Sequence, residues 1–138
     1  MIFDYSNRSV LRNSLFKGLD KSCFNKYFNT KNFYVAKEGE IIYTNGDESA
    51  FLYLIIGGEI KIKLWGKKEF VNRYLFDFFG EYEILQSTKR KSSAMAMKET
   101  LVYKIKSELL RKLCSANTKI NSNLKGKYET DNTKLGKP

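Results

Sequence analysis

The sequence predicts a mainly β fold, a small antiparallel sandwich or barrel with α-helices at both ends. Three observations lead to this prediction. Short apolar segments recur at close spacing between residues 31 and 106, and glycine-containing turns separate them. One of these segments, 59–64, alternates polar and apolar residues with the period of two that is typical of a half-exposed strand. Apolar residues at helical spacing lie on either side of this region.

The N-terminal part divides into an extension and a helical segment. Residues 1–12 are polar and unpatterned, which predicts an extension or a first short helix. From Ser14 the apolar residues follow helical spacing and predict one or two short helices, with Ser14 or Asp20 as an N-cap. The residues that form this pattern are Leu15, Phe16, Leu19, Phe24, Tyr27 and Phe28.

The central part predicts a series of short strands. Turn residues such as Asn45-Gly46 and Gly57-Gly58 close them. A short apolar segment, 82–85, follows Gly80-Glu81, and a polar basic loop, 86–91, comes next. The predicted strands are 32–36, 40–44, 51–56, 59–64, 70–76, 93–97 and 101–105.

The C-terminal part predicts one helix and then a polar tail. Ser107 is the predicted N-cap, and three leucines between residues 109 and 113 form a buried stripe. From residue 115 onward Asn, Thr, Lys and Gly dominate, so we expect a frayed helix and then disorder by about Asn121. The predicted organisation is an N-terminal extension at 1–13, a folded domain at 14–114 and a disordered tail at 115–138.

The composition excludes most familiar catalytic chemistry. The chain has 138 residues, which suits one domain, and it contains no histidine. It therefore has no Ser-His or Cys-His dyad and no metal site built on imidazole. Cys23 and Cys114 are far apart in the sequence, so we expect two reduced thiols rather than a metal cluster. We expect no enzyme, no metal and no cofactor.

The positive charge favours an anionic partner. Lys and Arg total 25 against 15 Asp and Glu, a net charge of +10. Nucleic acid, an acidic membrane surface or a phosphate-bearing ligand all fit this charge, and scattered lysines that only solvate the surface fit it as well. The first residues lack the basic and apolar regions of a signal peptide, so we expect none. The longest apolar stretch, 51–58, is far shorter than the ~20 residues of a membrane span. We expect a cytoplasmic protein.

Gly80, Glu81 and Arg90 form the candidate binding constellation. A glycine lets the backbone approach a ligand, and a helical turn after it offers free N–H groups to an anion. Arg90 lies nine residues beyond Glu81, and its forked guanidinium can bind phosphate oxygens. A carboxylate beside it can accept a hydrogen bond from a ribose hydroxyl and can hold the arginine in place when the site is empty.

These residues belong to a longer series that resembles the cyclic nucleotide-binding domain family. This family is shared by catabolite activator proteins, protein kinase A regulatory subunits and cyclic-nucleotide-gated channels. The resemblance covers about residues 15–113 and implies an antiparallel β jelly-roll barrel, or double-stranded β-helix, with flanking α-helices. The matching segments are 15–19, 39–42, 45–48, 52–62, 77–81, Arg90 and 93–96.

The resemblance also implies a ligand and a role for each site residue. The ligand is cAMP or cGMP. Glu81 corresponds to the residue that binds the ribose 2′-hydroxyl, and Arg90 to the residue that binds the cyclic phosphate. Backbone N–H groups around Gly80, Glu81 and Tyr82 and at Lys91 complete the phosphate cradle.

The sequence departs from the family pattern at several positions. Glu83 stands where the family usually has a small residue, and a carboxylate there weakens phosphate binding unless it turns outward. Lys89 and Lys91 replace the Pro or Gly and the small residue that often flank the arginine. Phe76 stands at the place of a turn glycine. The polar tail offers no convincing aromatic lid for a base, since Tyr128 is the only aromatic residue after Tyr103.

Three functions remain open on this basis. The first is a stand-alone sensor of cAMP or cGMP that moves its terminal helices and acts through an effector protein or a homodimer, because no effector domain is visible. The second is a protein-interaction module that keeps the fold and no longer binds nucleotide, which Glu83 and Phe76 favour. The third is a basic nucleic-acid-binding module, but a reading helix and an aromatic platform are missing, so we do not expect direct DNA binding.

Overall fold

Two four-stranded antiparallel sheets form the centre of the protein. The structure is a computed structural model that describes residues 2–134, with side chains described as far as residue 126. The strands are β1 (Phe33–Ala36), β2 (Ile41–Tyr43), β3 (Phe51–Gly57), β4 (Glu59–Leu64), β5 (Phe70–Tyr74), β6 (Phe78–Phe79), β7 (Ser92–Ala96) and β8 (Thr100–Lys106). The first sheet has the order β1-β8-β3-β6 and the second has the order β2-β7-β4-β5.

Helices lie before, between and after the strands. The α-helices are α1 (Asn7–Leu11), α2 (Glu81–Gln86), α3 (Ser107–Ala116) and α4 (Thr118–Lys134). Three short 3₁₀-helices, Ser14–Phe16, Lys21–Tyr27 and Thr30–Asn32, lead into β1. The predicted mainly β jelly-roll with flanking helices is confirmed. None of the helices in residues 2–134 is long and apolar enough to cross a membrane.

The inner faces of the two sheets enclose one hydrophobic core. The alternation along β4 explains how the second sheet contributes to it, because Ile60 and Ile62 are buried while Lys63 is exposed. The core residues come from seven of the eight strands: Ala36, Tyr43, Tyr53, Ile55, Ile60, Ile62, Phe79, Ala94, Ala96 and Val102.

A second core lies between the first sheet and the helices. Strand β3 is apolar without alternation because it is covered on both faces: Tyr53 and Ile55 belong to the inner core, whereas Leu52 and Leu54 pack with the helices. All four α-helices contribute to this second core, from Val10 in α1 to Leu124 in α4. The helices are therefore attached to the same sheet that carries β6, the strand that leads into α2.

The C-terminal tail corrects the prediction of disorder from about Asn121. The structure has helix α4 at Thr118–Lys134, in which Ile120 and Leu124 are fully buried. A spacing of four residues places these two side chains on one face of the helix, and two apolar residues in a polar segment gave too weak a periodic signal to be recognised. Asn123 Nδ2 also donates to the carbonyl oxygens of Leu15 and Lys17, at 2.9 Å each. Residues 135–138 lie outside the described residues.

Helix caps and one strand end also differ from the prediction. Asp20 is a cap as predicted, since its carboxylate accepts from the Ser22 N–H at 3.1 Å. Asn13 rather than Ser14 caps the preceding 3₁₀-helix, and Lys106 rather than Ser107 occupies the N-cap of α3, without a side-chain hydrogen bond. Strand β5 ends at Tyr74, two residues early, because Phe76 adopts φ 75°, a left-handed conformation that a strand does not contain.

Candidate functional site

Gly80 joins β6 to α2 and brings the backbone against Arg90. Its φ of 93° and ψ of 4° lie in the left-handed region, which favours glycine. A Cβ atom at this position would lie 3.2 and 3.3 Å from the two terminal guanidinium nitrogens of Arg90 and 3.3 Å from the Phe51 carbonyl oxygen. The site therefore requires glycine here both for the backbone conformation and for the close approach of the arginine.

The turn after β2 fixes the backbone of Arg90. The Arg90 N–H donates to the Asp47 carbonyl oxygen and the Gly46 N–H donates to the Arg90 carbonyl oxygen, both at 2.8 Å. The Asp47 carboxylate closes the turn by accepting from the Thr44 N–H at 2.9 Å. The predicted Asn45-Gly46 turn thus connects β2 to β3 in the other sheet and also holds the loop that carries Arg90.

The guanidinium of Arg90 is buried and held on several sides, with only 2% of the residue exposed. Nη1 donates to the Gly80 carbonyl oxygen at 2.7 Å and to Glu83 Oε1 at 3.0 Å. Nη2 donates to the Phe51 carbonyl oxygen at 2.6 Å. The Tyr43 ring lies beneath it, with 3.9 Å between Cζ and the ring centroid. Within the described part of the chain, Nε of Arg90 has no hydrogen-bond partner.

Glu83 points inward and forms a buried ion pair with Arg90. Its side chain is 1% exposed, and Oε2 accepts from the Lys91 N–H at 3.3 Å and from the Ser92 hydroxyl at 2.8 Å. Burying a carboxylate is unfavourable unless it is paired and hydrogen-bonded, and here both of its oxygens have donors. The flanking lysines do not neutralise it. Lys91 is exposed, and Lys89 is exposed and lies 3.7 Å from the exposed Glu48.

Glu81 lies in the first turn of α2 and is also buried, at 1% exposure. Its charge acts on Arg73, a buried residue of β5. Burial lowers the pKa of the Arg73 guanidinium, and the negative charge of Glu81 opposes that shift by favouring the cation. Tyr82 follows in the same turn and is partly exposed. Arg73 was not among the predicted site residues, although it occupies an inward position two residues after the buried Val71.

Aromatic side chains form the surface on which Arg90 rests. Tyr53 and Phe79 stack with their centroids 5.0 Å apart, and Tyr43 lies next to both. Burial raises the pKa of the Tyr43 hydroxyl far above its usual value, so this phenol stays neutral and does not compete as an anion for Arg90. Tyr43 was not among the predicted site residues, because an inward tyrosine in a short strand is also an ordinary core residue.

The arrangement is suited to binding an oxyanion. A guanidinium, a backbone N–H and a hydroxyl converge on one carboxylate, that of Glu83. The cysteines lie elsewhere: Cys23 and Cys114 are free thiols, and burial raises the pKa of each. Across residues 2–134, no three carboxylate or cysteine side chains are grouped so that they could hold a metal ion.

Of the predicted site residues, the structure brings Gly80, Arg90 and the Lys91 backbone together around Glu83. Glu81 lies one residue from Gly80 but interacts with Arg73, and Tyr82 lies on α2 beside it. The Lys91 side chain is exposed, while its backbone N–H points to the carboxylate and its carbonyl oxygen accepts from the Trp65 N–H at 2.8 Å. The aromatic Tyr128 lies outside the described side chains.

Comparison with solved structures shows which proteins share this fold. The catabolite activator protein of Thermus thermophilus is 22% identical with a TM-score of 0.68, and the alignment covers 83% of this chain and 55% of that one. PfPKA-R with cAMP bound is 19% identical with a TM-score of 0.75, covering 94% of this chain and 46% of that one. The sensor domain of the transcriptional regulator DNR from Pseudomonas aeruginosa is 16% identical with a TM-score of 0.72, covering 91% of both chains.

The chain spans about half the length of the first and second of these proteins. No curated protein matches it at a significant level. The family model described as "Cyclic nucleotide-binding domain" matches residues 35–117, which include Gly80, Glu81 and Arg90 together with every strand from β2 to β8. This match extends over more than half of the sequence, and the chain belongs to the cyclic nucleotide-binding domain family.

Proposed function

We propose that this domain is a regulatory module that binds cAMP or cGMP and has no catalytic activity of its own. Arg90 binds the cyclic phosphate, Glu81 accepts from the ribose 2′-hydroxyl, and backbone N–H groups at Tyr82 and Lys91 contribute to the phosphate site. The family to which the chain belongs supports this assignment, and so does PfPKA-R, a protein of the same fold that binds cAMP.

The buried guanidinium of Arg90 is the observation that carries the proposal. Backbone carbonyl oxygens of Gly80 and Phe51 hold it in place, so its position does not depend on solvent or on mobile side chains. Its Nε has no partner among the described residues, so the Nε–H donor is available to a ligand. A prepositioned arginine with a free donor favours an oxyanion, because little side-chain entropy is lost on binding.

The binding signal reaches other molecules through the helices. Arg90 is tied to Gly80 at the start of α2, and Arg111 of α3 donates to the Ile84 carbonyl oxygen of α2 at 3.4 Å. A ligand that binds one position of α2 more tightly therefore biases the position of α3 as well. We propose that an effector protein or a second copy of the chain responds to this movement.

Calorimetric titration with cAMP and with cGMP tests the proposal. We expect saturable binding of at least one nucleotide to the wild-type protein. Glu81→Gln weakens it, because the amide replaces a carboxylate at the ribose hydroxyl, whereas Glu99→Gln, an exposed control, leaves it unchanged. A folded wild-type protein that gives no heat at millimolar concentrations of both nucleotides overturns the proposal and favours an interaction module without ligand.

A further inference from the structure

The carboxylate of Glu83 occupies a set of donors that is suited to an external oxyanion. Three different donors reach it: Arg90 Nη1 at 3.0 Å, the Lys91 N–H at 3.3 Å and the Ser92 hydroxyl at 2.8 Å. A guanidinium, a backbone amide and a hydroxyl bind the oxygens of phosphate and of carboxylate in the same way. The site is therefore filled from within the chain.

We propose that Glu83 is an internal anion that holds the phosphate position of this site, so that a ligand phosphate binds only by displacing its carboxylate. The part of this inference that concerns nucleotides rests on the function proposed above. Arg90 and the Lys91 N–H are assigned to the ligand phosphate there, and the same two donors are engaged by Glu83 in the structure. One carboxylate and one phosphate cannot both occupy them, because like charges at this separation repel.

The burial of the pair explains why the internal anion is kept. Both side chains are 1% exposed, and a buried guanidinium without a counter-charge is strongly unfavourable. Glu83 supplies that charge when no ligand is bound. A ligand phosphate supplies the same charge when it binds, so displacement exchanges one anion for another and does not leave Arg90 unpaired.

The surroundings of Glu83 provide a place for the displaced side chain. Glu83 lines a surface cleft of about 270 Å³ that Lys89 and Arg111 also line. Glu48 also lines the cleft and pairs with Lys89 at 3.7 Å, so a carboxylate that leaves Arg90 can move toward the exposed cation Arg111 and toward water. Arg111 is the residue that connects α3 to α2, so the exchange of anions at Arg90 also changes the charge next to the terminal helices.

Thermal melting in phosphate tests the inference without any nucleotide. Wild type, Glu83→Ala, Glu83→Gln and the exposed control Glu99→Gln are each melted in inorganic phosphate and in chloride at equal ionic strength. We expect phosphate to stabilise both Glu83 variants specifically. The rise in melting temperature is about 5 °C when phosphate exceeds its dissociation constant about tenfold. Wild type and Glu99→Gln respond alike and much less, because their anion position is occupied.

The same variants are then titrated with cAMP and cGMP. If the carboxylate occupies the site about 90–99% of the time, its removal tightens nucleotide binding by about 10- to 100-fold. The inference is overturned if the Glu83 variants respond to phosphate no more than wild type does. It is also overturned if these variants fail to fold even in phosphate, since an external anion then cannot replace the carboxylate. A phosphate response in the Glu83 variants without nucleotide binding by any form contradicts the proposed function and leaves the internal anion standing.

Discussion

Replacing Gly80 by alanine tests how closely the backbone and Arg90 depend on each other. An L-residue at φ 93° is strained by about 1–2 kcal/mol, partly offset by about 0.4–1 kcal/mol because alanine restricts the unfolded chain. The new Cβ also lies 3.2 and 3.3 Å from the Arg90 nitrogens, so the guanidinium must shift and its 2.7 Å bond to the Gly80 carbonyl oxygen lengthens. Hydrogen bonds to charged groups contribute about 1.5–3 kcal/mol, so weakening one removes about 1 kcal/mol.

Gly39→Ala is the matched control for this prediction. Gly39 has φ 82°, also in the left-handed region, but a Cβ there meets nothing within 4 Å. The backbone strain and the effect on the unfolded chain are therefore common to both variants, and only Gly80→Ala crowds the arginine. We expect Gly80→Ala to lose about 1 kcal/mol more than Gly39→Ala in urea denaturation, with unchanged m-values. Equal losses for the two variants refute the close approach between Gly80 and Arg90.

Three further variants test other parts of the structure. Ser87→Gly raises the free energy of unfolding by about 0.5–1 kcal/mol in urea denaturation, because Ser87 ends α2 at φ 56°, a left-handed conformation that favours glycine. Ser115→Gly, in the exposed last turn of α3, lowers the free energy of unfolding. Leu124→Ala lowers the free energy of unfolding by about 2–4 kcal/mol, because Leu124 is buried where α4 packs on the domain. The neighbouring Lys125→Ala has little effect, and equal effects of the two variants contradict this packing. The pKa of Tyr43 is raised in the folded state. Its contribution to stability is therefore present below pH ~10, where the Tyr43 phenol is neutral in the unfolded chain as well, and is lost as the pH rises above that value. The decline in unfolding free energy at alkaline pH is therefore shallower in Tyr43→Phe than in wild type. Identical pH profiles for the two proteins contradict a raised pKa at Tyr43.

The strand series was largely predictable because burial on one face leaves a direct mark on the sequence. Strand β4 was predicted to the residue, since Ile60 and Ile62 alternate with lysines and glycine lies on its N-terminal side. Helix α4 was not predictable in the same way. Its two buried side chains, Ile120 and Leu124, have docking partners that are distant in sequence, and local composition carries no information about them.

The site was predictable as a set of positions but not as a set of contacts. The positions of Gly80, Glu81 and Arg90 followed from the resemblance to the family, and Gly80 and Arg90 do lie in contact. Whether the Glu83 side chain points inward or outward depends on the free energy of a buried ion pair, in which three hydrogen bonds offset the cost of desolvation. Residue types alone do not decide this balance. Arg73 and Tyr43 reach the site from strands of the second sheet, so only the packing of the sheets places them there.

The proposed function depends most directly on the contact between a ligand phosphate and Arg90. Side-chain NMR of ¹⁵N-labelled protein observes this contact directly through the Nε–H resonance of Arg90. The sequence contains five arginines, and the resonance that disappears in Arg90→Lys is that of Arg90. During titration with cAMP or cGMP, we expect this resonance to shift and to saturate at the same nucleotide concentration as the heat of binding. Nucleotide binding that saturates while the Arg90 resonance stays unchanged contradicts a phosphate contact at Arg90.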